Sequence, residues 1–256
     1  MELKRIRESE KALCNPYLYA RIAAETAKFN ALNQNLCDSA VDILSWLYTQ
    51  ILKNPNELVC EEICDEFFYS GVNYIPIFTG IQKFAEAKSD LSFIQGPLKT
   101  AILKVQDRAR LKRISGVVGR IYLLSFHTSF LDGEIWQYLE EIASNNLSEV
   151  VIIVDNSEMV FDDLAWKFYH CGWEAAECAG HNFGAIDSAL RDLRNINLGR
   201  QPQVLVAYTK NSRFGSYRES ANAIFSRLNQ LTCFAGLGKV TIERADSCIK
   251  VEKDEK

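Results

Sequence analysis

The sequence predicts an α/β protein: a doubly wound parallel sheet flanked by helices, with a helical N-terminal region before it. Three observations lead there. Four short, nearly continuous apolar runs lie between residues 119 and 208. Segments of helical periodicity separate them. The first 110 residues read mostly as helices, and the first glycine is Gly71. A strand buried on both faces is apolar at nearly every position, and alternation with helices supplies the crossovers that parallel strands require.

Along the chain, Ala40, Leu44, Leu47, Tyr48 and Ile51 form one helical stripe. Asp38 or Ser39 is placed to cap its start, and Asn54-Pro55-Asn56 ends it, because proline cannot continue the helical hydrogen bonds. A second helix is expected from about Tyr74 to Ala87 and a third over roughly Leu98 to Arg113. The expected strands are Gly119 to Phe126, Glu149 to Asp155, Trp173 to Cys178 and Val204 to Tyr208. Between them come helices over Glu134 to Ser144, Val160 to His170 and Phe183 to Asn195. Ligands of such sheets bind beyond the carboxyl ends of the strands. The informative positions are therefore 126–132, 155–162, 179–183 and 209–216.

Composition narrows the function classes. The chain has 256 residues, 48% of them hydrophobic and 24% charged, enough for a sizeable core. The net charge is −4 and no long basic run occurs, which argues against a nucleic-acid surface. No apolar stretch approaches the ~20 residues that span a bilayer. MELKRIRESEKAL is charged and helical in pattern, unlike a signal peptide, so a cytoplasmic location is expected. Of eight cysteines, only Cys60 and Cys64 lie close together, at a spacing that puts both on one helix face. No structural zinc site is expected from that pattern. The scattered cysteines read as small buried hydrophobes.

Several stretches, in order, resemble transketolases and related thiamine diphosphate enzymes. IYLLSFHTSFLDGEIW resembles the family stretch that runs from a strand through Gly-Asp-Gly-Glu to a helix beginning Glu-Gly-Gln-x-Trp, with Trp136 anchoring the register. VVIIVDNSE resembles the next family strand, which ends Val-Asp-x-Asn-Gly. FYHCGWEAAECAGHNFGAIDSAL resembles the Phe-Gly-Trp…Asp-Gly-His-Asp…Ala-Leu stretch, with Gly172, Trp173, Gly180, His181 and Leu190 in register. PQVLVAYTKNS resembles the strand ending in Lys-Thr. Upstream, SAVDILSWLYTQIL resembles a family helix, and FFYSGVNYIPIF resembles the Lys-Gly-His-x-x-Pro segment, with Ser70 and Pro76 aligned. The resemblance covers most of residues 20–210 and implies the thiamine diphosphate-binding fold. It divides the chain into an N-terminal-like diphosphate-binding-type domain over 1–215 and an extension over 216–256. It also implies a split-subunit arrangement, in which a transketolase C-terminal-half-like subunit, or self-association, completes the assembly.

In this family thiamine diphosphate is held through Mg2+, a hard cation that takes oxygen ligands. The resemblance places the metal aspartate at His127, its glycines at Phe126 and Thr128, and the following glutamate at Ser129. The metal asparagine falls on Ser157, thirty residues after His127. An imidazole beside a hydroxyl is a poor match for magnesium. Phe126 also puts a large side chain where glycine would let a phosphate approach. The family's histidine stations fall on Asn33–Asn35 and Asn73, and amides exchange no protons at neutral pH. Of the glycine-rich stretch only Gly96 and Leu98 match.

A second alignment places a gap after Asp132-Gly133, making Asp132 and Asn156 the metal pair. Against it, Asp132 suits a cap of the 134–144 helix. His127 reads either as a ligand or acid–base group of a reused pocket, or as a packed, hydrogen-bonded imidazole. Asp155 and Asn156 read either as polar lining of the cleft or as an Asx-type turn. His181 retains a family position at a turn, and Asn182 suits a helix cap. His170 sits where a cation meets a helix dipole favourably. Arg213, Tyr217 and Arg218 read as an anion site or as a solvated helix start.

The leading expectation is a degenerate transketolase-like subunit that has lost thiamine diphosphate and Mg2+ and serves as a structural or regulatory partner in a hetero- or homo-oligomer. The alternatives are a working subunit of a split ketol transferase, and a cleft around His127 and Ser157 given over to another small molecule.

Overall fold

The computed structural model describes residues 21–22, 24–25, 39–52, 65–70, 92–93, 97–157, 163–196, 201–210, 226–231, 239–243 and 248–252. The expected 74–87 helix, the Asn54-Pro55-Asn56 stop, Cys60, Cys64, Arg213, Tyr217 and Arg218 lie outside them. The chain divides into two compact units: residues 52–72 with 88–210, and residues 1–51 with 73–87 and 211–256.

The first unit is built on a six-stranded parallel sheet in the order β2-β1-β3-β4-β6-β5. Its strands are β1 (Glu66–Ser70), β2 (Ser92–Phe93), β3 (Ile121–Phe126), β4 (Val150–Ser157), β5 (Glu174–Ala179) and β6 (Gln203–Thr209). Its helices are α2 (Leu98–Ser115), α3 (Glu134–Ser144), α4 (Leu164–His170) and α5 (Phe183–Ile196). All four strands expected from the apolar runs are present; β3 ends at Phe126 as expected, and every other end is shifted by one or two residues. The bounds of α3 match the expectation at both ends. β1 and β2 were not expected. EFFYS is a short aromatic run within a region of helical pattern, and its pairing with β3, from Glu66↔Ile121 to Ser70↔Ser125, makes it a strand.

Chain direction decides which face each helix covers. The crossovers through α2, α3 and α4 run one way across the sheet, and the step from β5 back to β6 through α5 reverses. Right-handed crossovers then place α5 on the opposite face from the others. The packing agrees. Ile102, Val105 and Ala109 of α2, Ile135, Leu139 and Ile142 of α3, and Phe168 of α4 share one buried cluster with Leu123, Ile152, Val154, Val204 and Val206. Gln203 neighbours Val204 and so points to the other face, where its Nε2 donates to the Leu193 carbonyl of α5. The sheet is doubly wound.

An aromatic chain locks the helices to the sheet on the first face. Phe168 lies 5.5 Å from Phe130, 5.2 Å from Trp136 and 5.4 Å from Trp173, edge to face in each case. Trp136, which anchors the family register, is thus a packing residue. Trp166 and Tyr169 on the same helix face solvent. Ion pairs set α2 against its neighbours: Lys99–Glu134 at 2.7 Å, Arg108–Glu66 at 2.7 Å, Arg110–Glu141 at 3.0 Å and Arg113–Glu149 at 2.7 Å. Exposed pairs of this kind contribute little stability each, so apolar burial dominates.

In the second unit, α1 (Val41–Trp46) continues into a π-helical turn over Leu47–Ile51. Val41, Ile43, Leu44, Leu47 and Ile51 are buried. The expected cap is corrected: the N-cap position is Ala40, which makes no side-chain cap hydrogen bond. Ser39 belongs to the preceding turn, and Asp38 lies outside the described residues. Arg227 donates to Glu25 at 3.0 Å. β7 (Lys239–Glu243) and β8 (Cys248–Glu252) form an antiparallel pair that was not expected. Among the described residues no helix is long and apolar enough to cross a membrane.

Burial has a pH consequence. It pushes the Cys178 thiol from 9.0, and the Tyr69 phenol from 10.0, up to about 12. The folded state therefore keeps protons that the unfolded chain releases, so each contribution is complete below the unfolded value and lost as pH rises toward the folded one. These two groups should make stability fall from about pH 9 toward 12, with Tyr69→Phe and Cys178→Ala flattening the fall. Urea midpoints across that range measure it.

Candidate functional site

The carboxyl ends of the parallel strands bring together most of the positions singled out in the sequence. β3 ends at Phe126, where the chain enters a 3-10 turn over His127–Leu131. β4 does not turn at Asp155. It continues through Asn156 and Ser157, because Asn156 pairs with Tyr208 and Ser157 with Thr209 of β6. The Asx-turn reading of Asp155 and Asn156 is therefore corrected: pairing with β3 as far as Asp155, and with β6 through Ser157, carries the polar residues in strand conformation.

All three polar residues at the end of β4 are buried: Asp155, Asn156 and Ser157. His127 is also buried, and its Nδ1 lies 3.2 Å from the Asp155 backbone oxygen. A carbonyl only accepts, so Nδ1 carries the proton in this bond. The Phe126 ring packs beside the imidazole, with centroids 4.2 Å apart. The Asp155 carboxylate accepts a hydrogen bond from the buried Thr209 hydroxyl. The ends of β3, β4 and β6 are thus joined through one aspartate, by its carbonyl on one side and its carboxylate on the other.

The end of β5 is joined to β6 by a second set of bonds. Gly180 N–H donates to the Tyr208 carbonyl at 2.8 Å. Lys210 N–H donates to His181 Nε2 at 2.8 Å. A Cβ at Gly180 would sit 2.5 Å from Thr209 Cγ2 and 3.1 Å from the Tyr208 oxygen, so glycine is what permits this approach. His181 acts here as a turn-holding acceptor.

Other positions take local roles. The Asp132 carboxylate accepts the Glu134 N–H at 3.0 Å, at the exposed start of α3. The N-cap position itself is Gly133, which makes no side-chain cap hydrogen bond, so the expected cap is corrected: Asp132 holds the first helical N–H from one residue further out. Asn182 Oδ1 accepts the Ala185 N–H at 3.1 Å and caps α5. Ser129 lies partly buried within the 3-10 turn. His170 is in the last turn of α4, its ring 3.9 Å from that of Trp166.

Thr209, Lys210 and Gly180 are the participants that the sequence did not single out as bonding partners. The strand end at 209 was marked as informative. What was not visible is that its hydroxyl meets a carboxylate 54 positions earlier in the chain.

No family model matches the chain, and no curated protein does. Solved structures do. A transketolase from Campylobacter jejuni superposes with a TM-score of 0.63 at 15% identity, covering 88% of this chain and 43% of that one. Transketolase from Leishmania mexicana gives 0.58 at 11% identity, over 89% of this chain and 45% of that one. A transketolase mutant from Pichia stipitis gives 0.60 at 10% identity, over 90% and 44%. The chain spans less than half the length of these structures, and identities this low speak to fold alone. The protein has an α/β fold with a parallel sheet and flanking helices, and that fold is the one found in part of the transketolases.

Proposed function

We propose that this protein is a degenerate counterpart of the N-terminal half of a split transketolase, without thiamine diphosphate or Mg2+, acting as a structural or regulatory partner in an oligomer. One observation carries the reading. The position corresponding to the metal aspartate is His127, and its imidazole is buried and committed to the Asp155 carbonyl. Magnesium requires near-octahedral oxygen donors and keeps part of its water shell. A buried imidazole, the Ser157 hydroxyl and an aspartate already accepting from Thr209 do not fit it. The alternative pair, Asp132 and Asn156, starts from a carboxylate engaged by the α3 backbone.

The half-length match supports the partner part of the reading. In this reading a C-terminal-half-like chain completes the assembly. The test is co-purification of this chain with a transketolase C-terminal-half-like chain from the same genome, in buffer containing EDTA and no thiamine diphosphate. A stable complex is expected under those conditions. A complex that forms only when cofactor and Mg2+ are added would contradict the proposal.

A further inference from the structure

A second polar position lies at the carboxyl ends of the strands, apart from the joint of β3, β4 and β6. The chain leaves β1 toward β2 and leaves β3 toward β4, on opposite sides. The strand order therefore switches between β1 and β3, and open α/β sheets take ligands at such a point. Two serines stand there as register partners, Ser70 at the end of β1 and Ser125 on β3. Both are at 0% exposure, and among the described residues neither hydroxyl has a hydrogen-bond partner. A buried hydroxyl left unpaired destabilises the free protein. Two of them on adjacent strands mark a place for an occupant.

Helix α2 supplies the rest. Phe68 and Leu123 share a buried cluster with Leu98, Ala101 and Ile102 of α2. Ser70 and Ser125 follow them by two residues and so point to the same face. Contacts along the helix fix the level. Glu66 pairs with Arg108 and Lys112, and Lys104 Nζ lies 5.6 Å from the Phe68 ring centre. Two strand residues advance about 6.7 Å, roughly four to five helical residues. Ser70 therefore falls beside the first turn of α2, which begins at Leu98. That turn has no side-chain cap: the N-cap is Pro97, whose carbonyl accepts the Thr100 N–H at 2.9 Å. The N–H groups of Leu98 and Lys99 are left to an acceptor outside the helix. Two hydroxyls and two N–H groups thus form a set of donors at the positive end of an 18-residue helix, which selects an anion rich in acceptor oxygens. The Lys99 ammonium is engaged by Glu134 at 2.7 Å, so these donors are uncharged and the binding should be weak. Pro97 and Thr100 are exposed, which opens the turn to solvent.

We infer that Ser70, Ser125 and the first turn of α2 hold a phosphate group without a metal, as inorganic phosphate or as the phosphate of a small phosphomonoester. This rests on the regulatory side of the function proposed above and gives it a ligand. The two can fail separately, because cofactor binding is read with Mg2+ and this site is read in EDTA. The test is the urea midpoint of the full chain in EDTA, against inorganic phosphate and against glycerol phosphate, at concentrations on the order of 1 to 20 mM. The midpoint of the unaltered chain should rise with phosphate. Without phosphate, Ser70→Ala and Ser125→Ala should each raise the midpoint, because each removes an unpaired buried hydroxyl. The double variant should lose the response of the unaltered chain. Half-saturation at a lower concentration of glycerol phosphate assigns the site to phosphomonoesters, and an equal or higher one assigns it to free phosphate. A double variant that responds as the unaltered chain does overturns the inference, since the effect is then the general action of the salt on burial. So does an unaltered chain that does not respond, or serine variants that are less stable than it without phosphate, since the hydroxyls are then paired within the protein.

Discussion

Trp173→Ala is expected to lower the stability of the sheet unit by about 3–5 kcal/mol, the usual cost of deleting a large buried aromatic. Trp173 is among the largest fully buried side chains described, at 1% exposure. It ends the aromatic chain through Phe168, and its Nε1 donates to the Leu139 carbonyl of α3 at 3.0 Å. Alanine leaves a cavity between α3, α4 and the start of β5, and the Leu139 carbonyl loses its donor. Trp173→Phe restores most of the volume without the donor, so it should cost clearly less. Urea unfolding followed by circular dichroism measures both. Equal losses for the two variants would mean that the hydrogen bond, not the packing, carries the contribution.

Gly180→Ala has the second largest expected effect, about 1–3 kcal/mol, from overpacking. The added methyl would meet Thr209 Cγ2 at 2.5 Å, closer than real Cβ atoms approach. Thr209 has little room to yield, since its hydroxyl is held by Asp155. The strain therefore falls on the joint between β4 and β6. Thr209→Ser removes the obstructing methyl and keeps the hydroxyl, so it should recover part of the loss in the double variant. The remaining contacts, 3.1 Å to the Tyr208 oxygen and 3.3 Å to Ala207 Cβ, keep that recovery incomplete. Additive losses in the double variant would show that the clash is relieved elsewhere.

The central sheet was legible because its strands are buried on both faces. Ile121–Phe126 and Val150–Val154 are apolar almost throughout, and only a parallel sheet covered on both sides requires that. Glu134–Ser144 was legible at both ends, because Asp132 and Gly133 precede its helical pattern and asparagines follow it. The end of β4 was not. Asp155, Asn156 and Ser157 resemble a turn when read along the chain, and the pairing that holds them in strand conformation comes from β6. β1 escaped for the same reason: five residues with two phenylalanines and a tyrosine declare a strand only when β3 lies beside them.

Legibility at the candidate site divides along the same line. Its position at the strand ends followed from topology, and His127 and Ser157 followed from the family resemblance. The bonds that define it did not follow. The Nδ1 of His127 is engaged by a backbone oxygen, and backbone positions leave no trace in residue identities. The Asp155–Thr209 bond joins residues on two strands, and nothing near either residue in sequence announces the other.

The claim at the centre of this account is that the strand-end site no longer takes thiamine diphosphate with Mg2+. Isothermal titration of thiamine diphosphate in the presence of Mg2+, into the chain alone and into its complex with a C-terminal-half-like chain, tests it most directly. The account predicts no heat of binding in either titration. Saturable binding with a Kd on the order of 1 µM, equivalent to about 8 kcal/mol, would contradict it.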